Sequence, residues 1–194
     1  MASSGGSTPF LVVYKEIVEG DLRKLVATSN DSATGGGARD LRLPAKAFRP
    51  LMHRIFTRDG VGRGGQSIRY ANVLYSDDRG GSHSTRIEYW PPTKSRPAED
   101  RVAKVHASPA IGGRLPALDR GRVFILFIRF SDGTVQCEYA YESDLREGRW
   151  SAEVSHPILA CVRDTDLKSA KRANPITVAG YIDFTDGSQY CHAN

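Results

Sequence analysis

The chain reads as a mainly β protein with minor helices, an α+β barrel, and three observations predict this. Short apolar-alternating runs recur along most of its length. Asp-Gly turn signals punctuate them, at Ser131–Gly133 and Thr185–Gly187. The positive charge is concentrated in the first half. Residues 23–106 carry 16 Lys+Arg against 8 Asp+Glu, and the remainder carries 11 against 14. Twenty of the 27 basic residues are Arg, whose planar fork suits bidentate recognition better than general solubility. A basic half of this kind is the footprint of a nucleic-acid binder.

The elements follow in order. Residues 1–9 (MASSGGSTP) read as a flexible Ser/Gly lead-in, and they lack the basic and apolar regions of a secretory signal. Phe10 to Ile17 is apolar and fits a first strand or helix. Leu22 to Thr28 predicts a short strand. Asp40 to Leu43 alternates and ends at Pro44, as a strand does. Ala45 to Phe56 places Phe48, Leu51, Met52, Ile55 and Phe56 on one side of a helix, which Pro50 shortens to one or two turns. Residues 60–65 predict a loop. Ser67 to Tyr75 and Ser84 to Tyr89 are alternating strands, and Pro91 to Arg101 is a charged extended segment. Arg122 to Phe130, the most apolar run, pairs across the SDG turn with Thr134 to Tyr141. Glu142 to Trp150 has some helical character. Pro157 to Val162, Thr177 to Phe184 and Ser188 to Cys191 complete the set as short strands. No run is long and apolar enough to span a bilayer, and 10–194 reads as one domain.

Catalytic and metal signatures are sparse. Cys137, Cys161 and Cys191 are odd in number and contain no CxxC pair, so they read as separate thiols in a reducing cytoplasm. His53, His83, His106, His156 and His192 are scattered, with no metal-ligand spacing. The glycines at 35–37 are followed by neither the Gly-Lys-Ser/Thr of a phosphate loop nor a GxGxxG fingerprint. Loose acidic clusters stand at Glu99-Asp100 with Lys104 and at Asp164/Asp166 with Lys168. They are the only material for an alternative reading, a small Mg²⁺-dependent DNA endonuclease. No catalytic centre, metal or cofactor is expected.

Residues Asn30 to Pro44, NDSATGGGARDLRLP, hold the strongest signal. Triple glycine permits close backbone approach, the Asn, Asp, Ser and Thr side chains are short hydrogen-bonding arms, and Arg matches phosphate oxygens or the guanine edge. The run LRKLVATSNDSATGGGARDLRLP resembles the N-terminal effector-binding domain of EcoRII-type restriction endonucleases. That domain is a DNA-binding pseudobarrel of the B3-like kind found in plant transcription factors. The similarity continues through RLPAKAFRPLMHRIF, GQSIRYANVLYSDD, STRIEYW, TKSRPAEDRVAKV and FILFIRFSDGTVQCEYAY, covering about Leu22 to Trp150.

The resemblance implies sequence-specific double-stranded DNA recognition in a bacterial restriction system. Two arms enter the major groove and straddle the site. The first comprises Asn30, Asp31, Ser32, Thr34, Gly35, Gly36, Arg39 and Arg42, with Arg23 and Lys24 beside it. The second comprises Lys94, Arg96, Glu99, Asp100, Arg101 and Lys104. Arg39, Arg96 and Arg101 would pair with guanine and Asn30 with adenine. Asp31, Glu99 or Asp100 would accept from cytosine, and Arg23, Lys24, Lys94 and Lys104 would hold phosphates. GARD after the diglycine and the Pro97-Ala98 step depart from the family pattern where bases are read, so the target sequence does not transfer. The nuclease would be a separate domain or a separate chain.

Overall fold

The computed structural model describes residues 7–26, 40–43, 48–76, 79–94, 100–109, 111–170 and 176–192. Its ten strands form one sheet: β1 (Pro9–Glu16), β2 (Leu41–Leu43), β3 (Arg58–Val61), β4 (Ser67–Ser76), β5 (Ser82–Trp90), β6 (Asp100–Ala103), β7 (Val123–Phe130), β8 (Val135–Tyr141), β9 (Ala179–Asp183) and β10 (Gln189–His192). The spatial order is β10-β9-β1-β7-β8-β4-β5-β6-β2, and β3 pairs with the first half of β4. The protein is mainly β, with the sheet curled into a half-barrel.

That curl is a consequence of where the apolar side chains point. Successive strand residues face opposite sides. Leu11 and Val13 of β1, Ile125 and Phe127 of β7, Val73 of β4, Ile87 and Tyr89 of β5, Val102 of β6 and Leu41 of β2 all enter one buried cluster. Strands far apart in the sheet thus share one core, which the sheet wraps around. The filling of this inner face comes from two helices, α1 (Glu19–Val26) and α2 (Arg49–Ile55), through Leu25, Phe48, Leu51, Met52 and Ile55. On the outer face a second cluster joins Val12, Tyr14, Phe124, Leu126, Ile128 and Ile182. Its cover is α4 (Ala152–Ser169), with the short α3 (Glu142–Arg146) before it.

Several expected elements differ. Residues 22–28 were expected as a strand, but residues 19–26 form helix α1. Leu22 and Leu25 share a helical face, Glu19 and Asp21 sit in the first turn, and Arg23 pairs with Glu19 one turn back. Pro157 to Val162 is likewise helical, inside α4, although Pro157 removes one backbone bond from the helix. Burial of Val154, Ile158, Cys161 and Val162 offsets that loss, and their spacing is the helical one. Residues 60–65 are not simply a loop, because β3 precedes a 3₁₀ turn at Arg63–Gly65. β1 starts at Pro9, and the Thr8 carbonyl accepts from the Ser131 amide. The expected turns are present. The Asp132 carboxylate accepts from the Thr134 amide and hydroxyl between β7 and β8, and Gly133 takes a left-handed φ of 85°.

The thiol reading is also corrected. Cys161 of α4 and Cys191 of β10 are disulfide-bonded, and Cys137 alone is a free, buried thiol. Among the described residues no helix is long and apolar enough to cross a membrane.

Candidate nucleic-acid interface

The outer face of the sheet is helix-covered along β9, β1, β7 and β8. Beyond Gln136 and Glu138 the same face continues onto β4, β5, β6 and β2 and changes character. Strand register puts Tyr70 and Asn72 of β4, Arg58 of β3, Arg86, Glu88 and Trp90 of β5, Arg101 of β6 and Arg42 of β2 on this side. Among the described residues no helix packs on it: α1 and α2 pack on the inner face, and α4 packs on the other half. Arg42, Arg58, Asn72 and Arg86 are exposed.

Charge and ring stacking organise this half. Glu88 is 4% exposed. Its carboxylate accepts from Lys104 Nζ at 2.8 Å, Arg86 Nε at 3.0 Å and Trp90 Nε1 at 3.2 Å. A buried carboxylate demands this many donors, since an unpaired one costs several kcal/mol. Lys104 has φ 64°, a left-handed conformation unusual for a side-chain-bearing residue, directly after β6. The Arg86 guanidinium lies 4.0 Å from the Tyr70 ring centre, and that of Arg101 lies 5.6 Å from the Trp90 ring. Gly62 backs the Trp90 ring so closely that an added Cβ would come within 2.3 Å of it. Any larger residue there would displace the ring.

The β2–β6 ladder is formed where the C-terminal ends of the two predicted arms meet. Leu41, Arg42 and Leu43 pair antiparallel with Val102, Arg101 and Asp100. The first arm therefore joins the sheet at one end of the ladder, at Asp40, and the second joins at the other, at Asp100. Three residue steps separate these ends, about 10 Å at the usual strand rise. The major groove of B-DNA is about 12 Å wide.

Both ends are tied down. Arg101 Nη1 donates to Asp40 at 3.2 Å, with both side chains largely buried. Asp100, 1% exposed, accepts from Arg49 Nη2 at 3.0 Å and from the Tyr89 hydroxyl. The Asp100 hydrogen bond raises the Arg49 pKa. Burial, then Asp100, pushes the Tyr89 phenol far up, so it stays a donor. On the inner-face rim, Arg69 donates to His53 Nδ1 at 3.0 Å and to the Thr57 carbonyl. Burial, then the Arg69 charge, lowers the His53 pKa.

The expected site residues divide accordingly. Asn30, Asp31, Ser32, Thr34, Gly35, Gly36, Arg39, Arg96 and Glu99 lie outside the described residues. Arg42 is exposed on the helix-free face, and Lys104 closes on Glu88. Arg23, paired to Glu19, and Lys24 lie on α1, which packs near the 3₁₀ turn Val105–Ala107. Lys94 is exposed just after β5. Two members sit differently from a base-reading role. Asp100 is turned into the core, and Arg101 latches Asp40. Period-2 alternation in STRIEYW already puts Arg86, Glu88 and Trp90 on one face, which is the signal that would have found them. Of the acids of the alternative endonuclease reading, Glu99 lies outside the described residues and Asp100 is buried against Arg49 and Tyr89. Asp166 on α4 pairs with Arg122 at 2.9 Å. Among the described residues no group of three or more His, Cys, Asp or Glu is arranged to hold a metal ion.

Comparison with protein families, with characterised proteins and with solved structures returns no match.

Proposed function

We propose that the protein recognises a specific sequence in double-stranded DNA, as the recognition or effector domain of a restriction-type system. One observation carries the reading. The two predicted arms run into the paired strands β2 and β6, whose outer side continues onto Arg42, Arg58 and Arg86, and no described helix packs on that side. The chemistry of the arms fits that placement. The first arm, residues 30–42, supplies glycines, short polar groups and Arg39, and the second, residues 94–104, supplies Arg96 and Glu99. Acidic residues within a basic arm oppose plain phosphate binding and favour readout of base edges.

Structural roles are reassigned within this reading. Arg101 is a positioning residue that holds the root of the first arm through Asp40. Asp100 does the same for the second arm through Arg49 and Tyr89. Base contacts then fall to the arm residues between those roots, and phosphate contacts to Arg42, Arg58, Lys24 and Lys94. Incubating the full chain with a randomised duplex pool and Mg²⁺, then sequencing the bound fraction, tests the reading. A short enriched motif on uncut DNA is the expected result. No enrichment, or cleaved ends, contradicts it.

A further inference from the structure

We infer that Cys161 and Cys191 form a redox-sensitive pair whose oxidation locks edge strand β10 onto α4 and thereby stiffens the root of the second arm. The last link rests on the DNA reading above; the redox pair itself does not.

The two residues are 30 apart in sequence and belong to different layers of the fold. Cys161 is 2% exposed, on the buried stripe of α4 beside Ile158 and Val162. Cys191 is partly exposed on β10, a four-residue strand whose one neighbour among the described strands is β9. A disulfide with one partner on a partly exposed sheet edge is within reach of small thiols, the situation that makes such a bond labile.

The neighbouring residue couples this bond to the core. Tyr190 faces inward, stacks on Tyr181 at 5.7 Å and meets the Phe48 ring edge-on at 5.9 Å. Phe48 is fully buried and directly precedes Arg49, which holds Asp100. The bond at Cys191 thus restrains a ring that packs against the start of α2, the helix gripping the second arm. With both sulfurs reduced, β10 keeps its pairing to β9 and loses its covalent tie to α4.

Oxidation balances with a low-molecular-weight disulfide such as glutathione disulfide. The Cys191 thiolate attacks it and one thiol leaves. The Cys161 thiolate then attacks the Cys191 sulfur of the mixed disulfide, and the second thiol leaves. Two electrons pass to the small disulfide, and the two protein protons end on the released thiols. Cys137 is an internal control, because burial pushes its thiol well up and leaves it unreactive.

The test equilibrates the full chain with reduced or with oxidised glutathione. Free thiols are counted by alkylation and mass spectrometry, and amide exchange is followed at 100–103 and 189–192. The inference predicts three free thiols in the reduced buffer and one in the oxidised. Oxidation should slow exchange in both segments by about tenfold, and Cys191→Ser should remove the redox dependence. Three free thiols in the oxidised buffer, or one in the reduced buffer, overturns the pair, and β10 exchange insensitive to oxidation overturns the lock. Slower exchange in β10 with none in β6 overturns the coupling. If both segments respond but no duplex binds in either state, the redox pair stands and the DNA reading falls.

Discussion

The two halves of the outer sheet face have the same backbone and opposite chemistry. Along β1, β7 and β9 the outward residues are Val12, Tyr14, Phe124, Leu126 and Ile182, and α4 buries them. Along β3, β4, β5, β6 and β2 the outward residues are Arg58, Tyr70, Arg86, Glu88, Trp90, Arg101 and Arg42, and no described helix packs on them. A sheet needs only one buried face for stability, and the inner core supplies it for every strand except the exposed β3. The covered half therefore adds a second core, while the open half is free to carry guanidinium groups and rings. Several of these groups are tied to the sheet, Arg86 over Tyr70 and Arg101 to Asp40, and the function proposed above assigns this half to a polyanionic partner.

This contrast predicts that substitutions in the two halves separate stability from binding. The largest effect is expected at Ile158, fully buried between α4 and the sheet. Ile158→Ala should cost about 3 kcal/mol in denaturant unfolding, with the duplex affinity of the folded protein unchanged. A parallel loss of affinity would mean the covered half participates in binding.

Next in size is Arg101→Ala. It removes the Asp40 latch and uncovers the Trp90 ring. Duplex affinity should fall by about 1–3 kcal/mol on the preferred site, with relaxed selectivity. An equal loss on every duplex would make Arg101 a mere phosphate contact.

The smallest effect belongs to His53. Burial and then the Arg69 charge hold its pKa below the ordinary histidine value, and Arg69 donates to an unprotonated Nδ1. A lowered histidine pKa means that the folded state disfavours the proton. This contribution is complete above the unfolded value of about 6.5 and is lost as pH falls through the folded value. Thermal unfolding compared at pH 7.5 and 5.5 should show a shallower loss for His53→Gln than for the natural chain. Identical slopes would show that His53 does not sense the Arg69 charge.

Much of the sheet was legible in the sequence, because alternation and Asp-Gly turns are local signals. The β7–β8 and β9–β10 hairpins and the β4–β5 pair lie where they were expected. Helices α1 and α4 were misread for physical reasons. LRKLVAT is too short to separate a period of 2 from one of 3.6, and Pro157 discouraged a helix that tertiary burial sustains. The Cys161–Cys191 bond depends on α4 lying beside β10, a placement 30 residues of sequence do not disclose. At the site, the concentration of basic residues in the first half was legible, and the glycine arm lies outside the described residues. The inward turn of Asp100 was not legible, because Arg49 and Tyr89 meet it only once the sheet has curled around the inner core.

The most direct measurement is the affinity of the full chain for duplex DNA across a salt series, beside Arg58→Ala. Arg58 is exposed on the open half, away from either core cluster. The account predicts tight binding at low salt, and log K falling linearly with log salt with a slope of several units. Arg58→Ala should weaken all duplexes alike and reduce that slope by about one. No binding at low salt, or a slope that Arg58→Ala leaves unchanged, would contradict the assignment of the helix-free half to DNA.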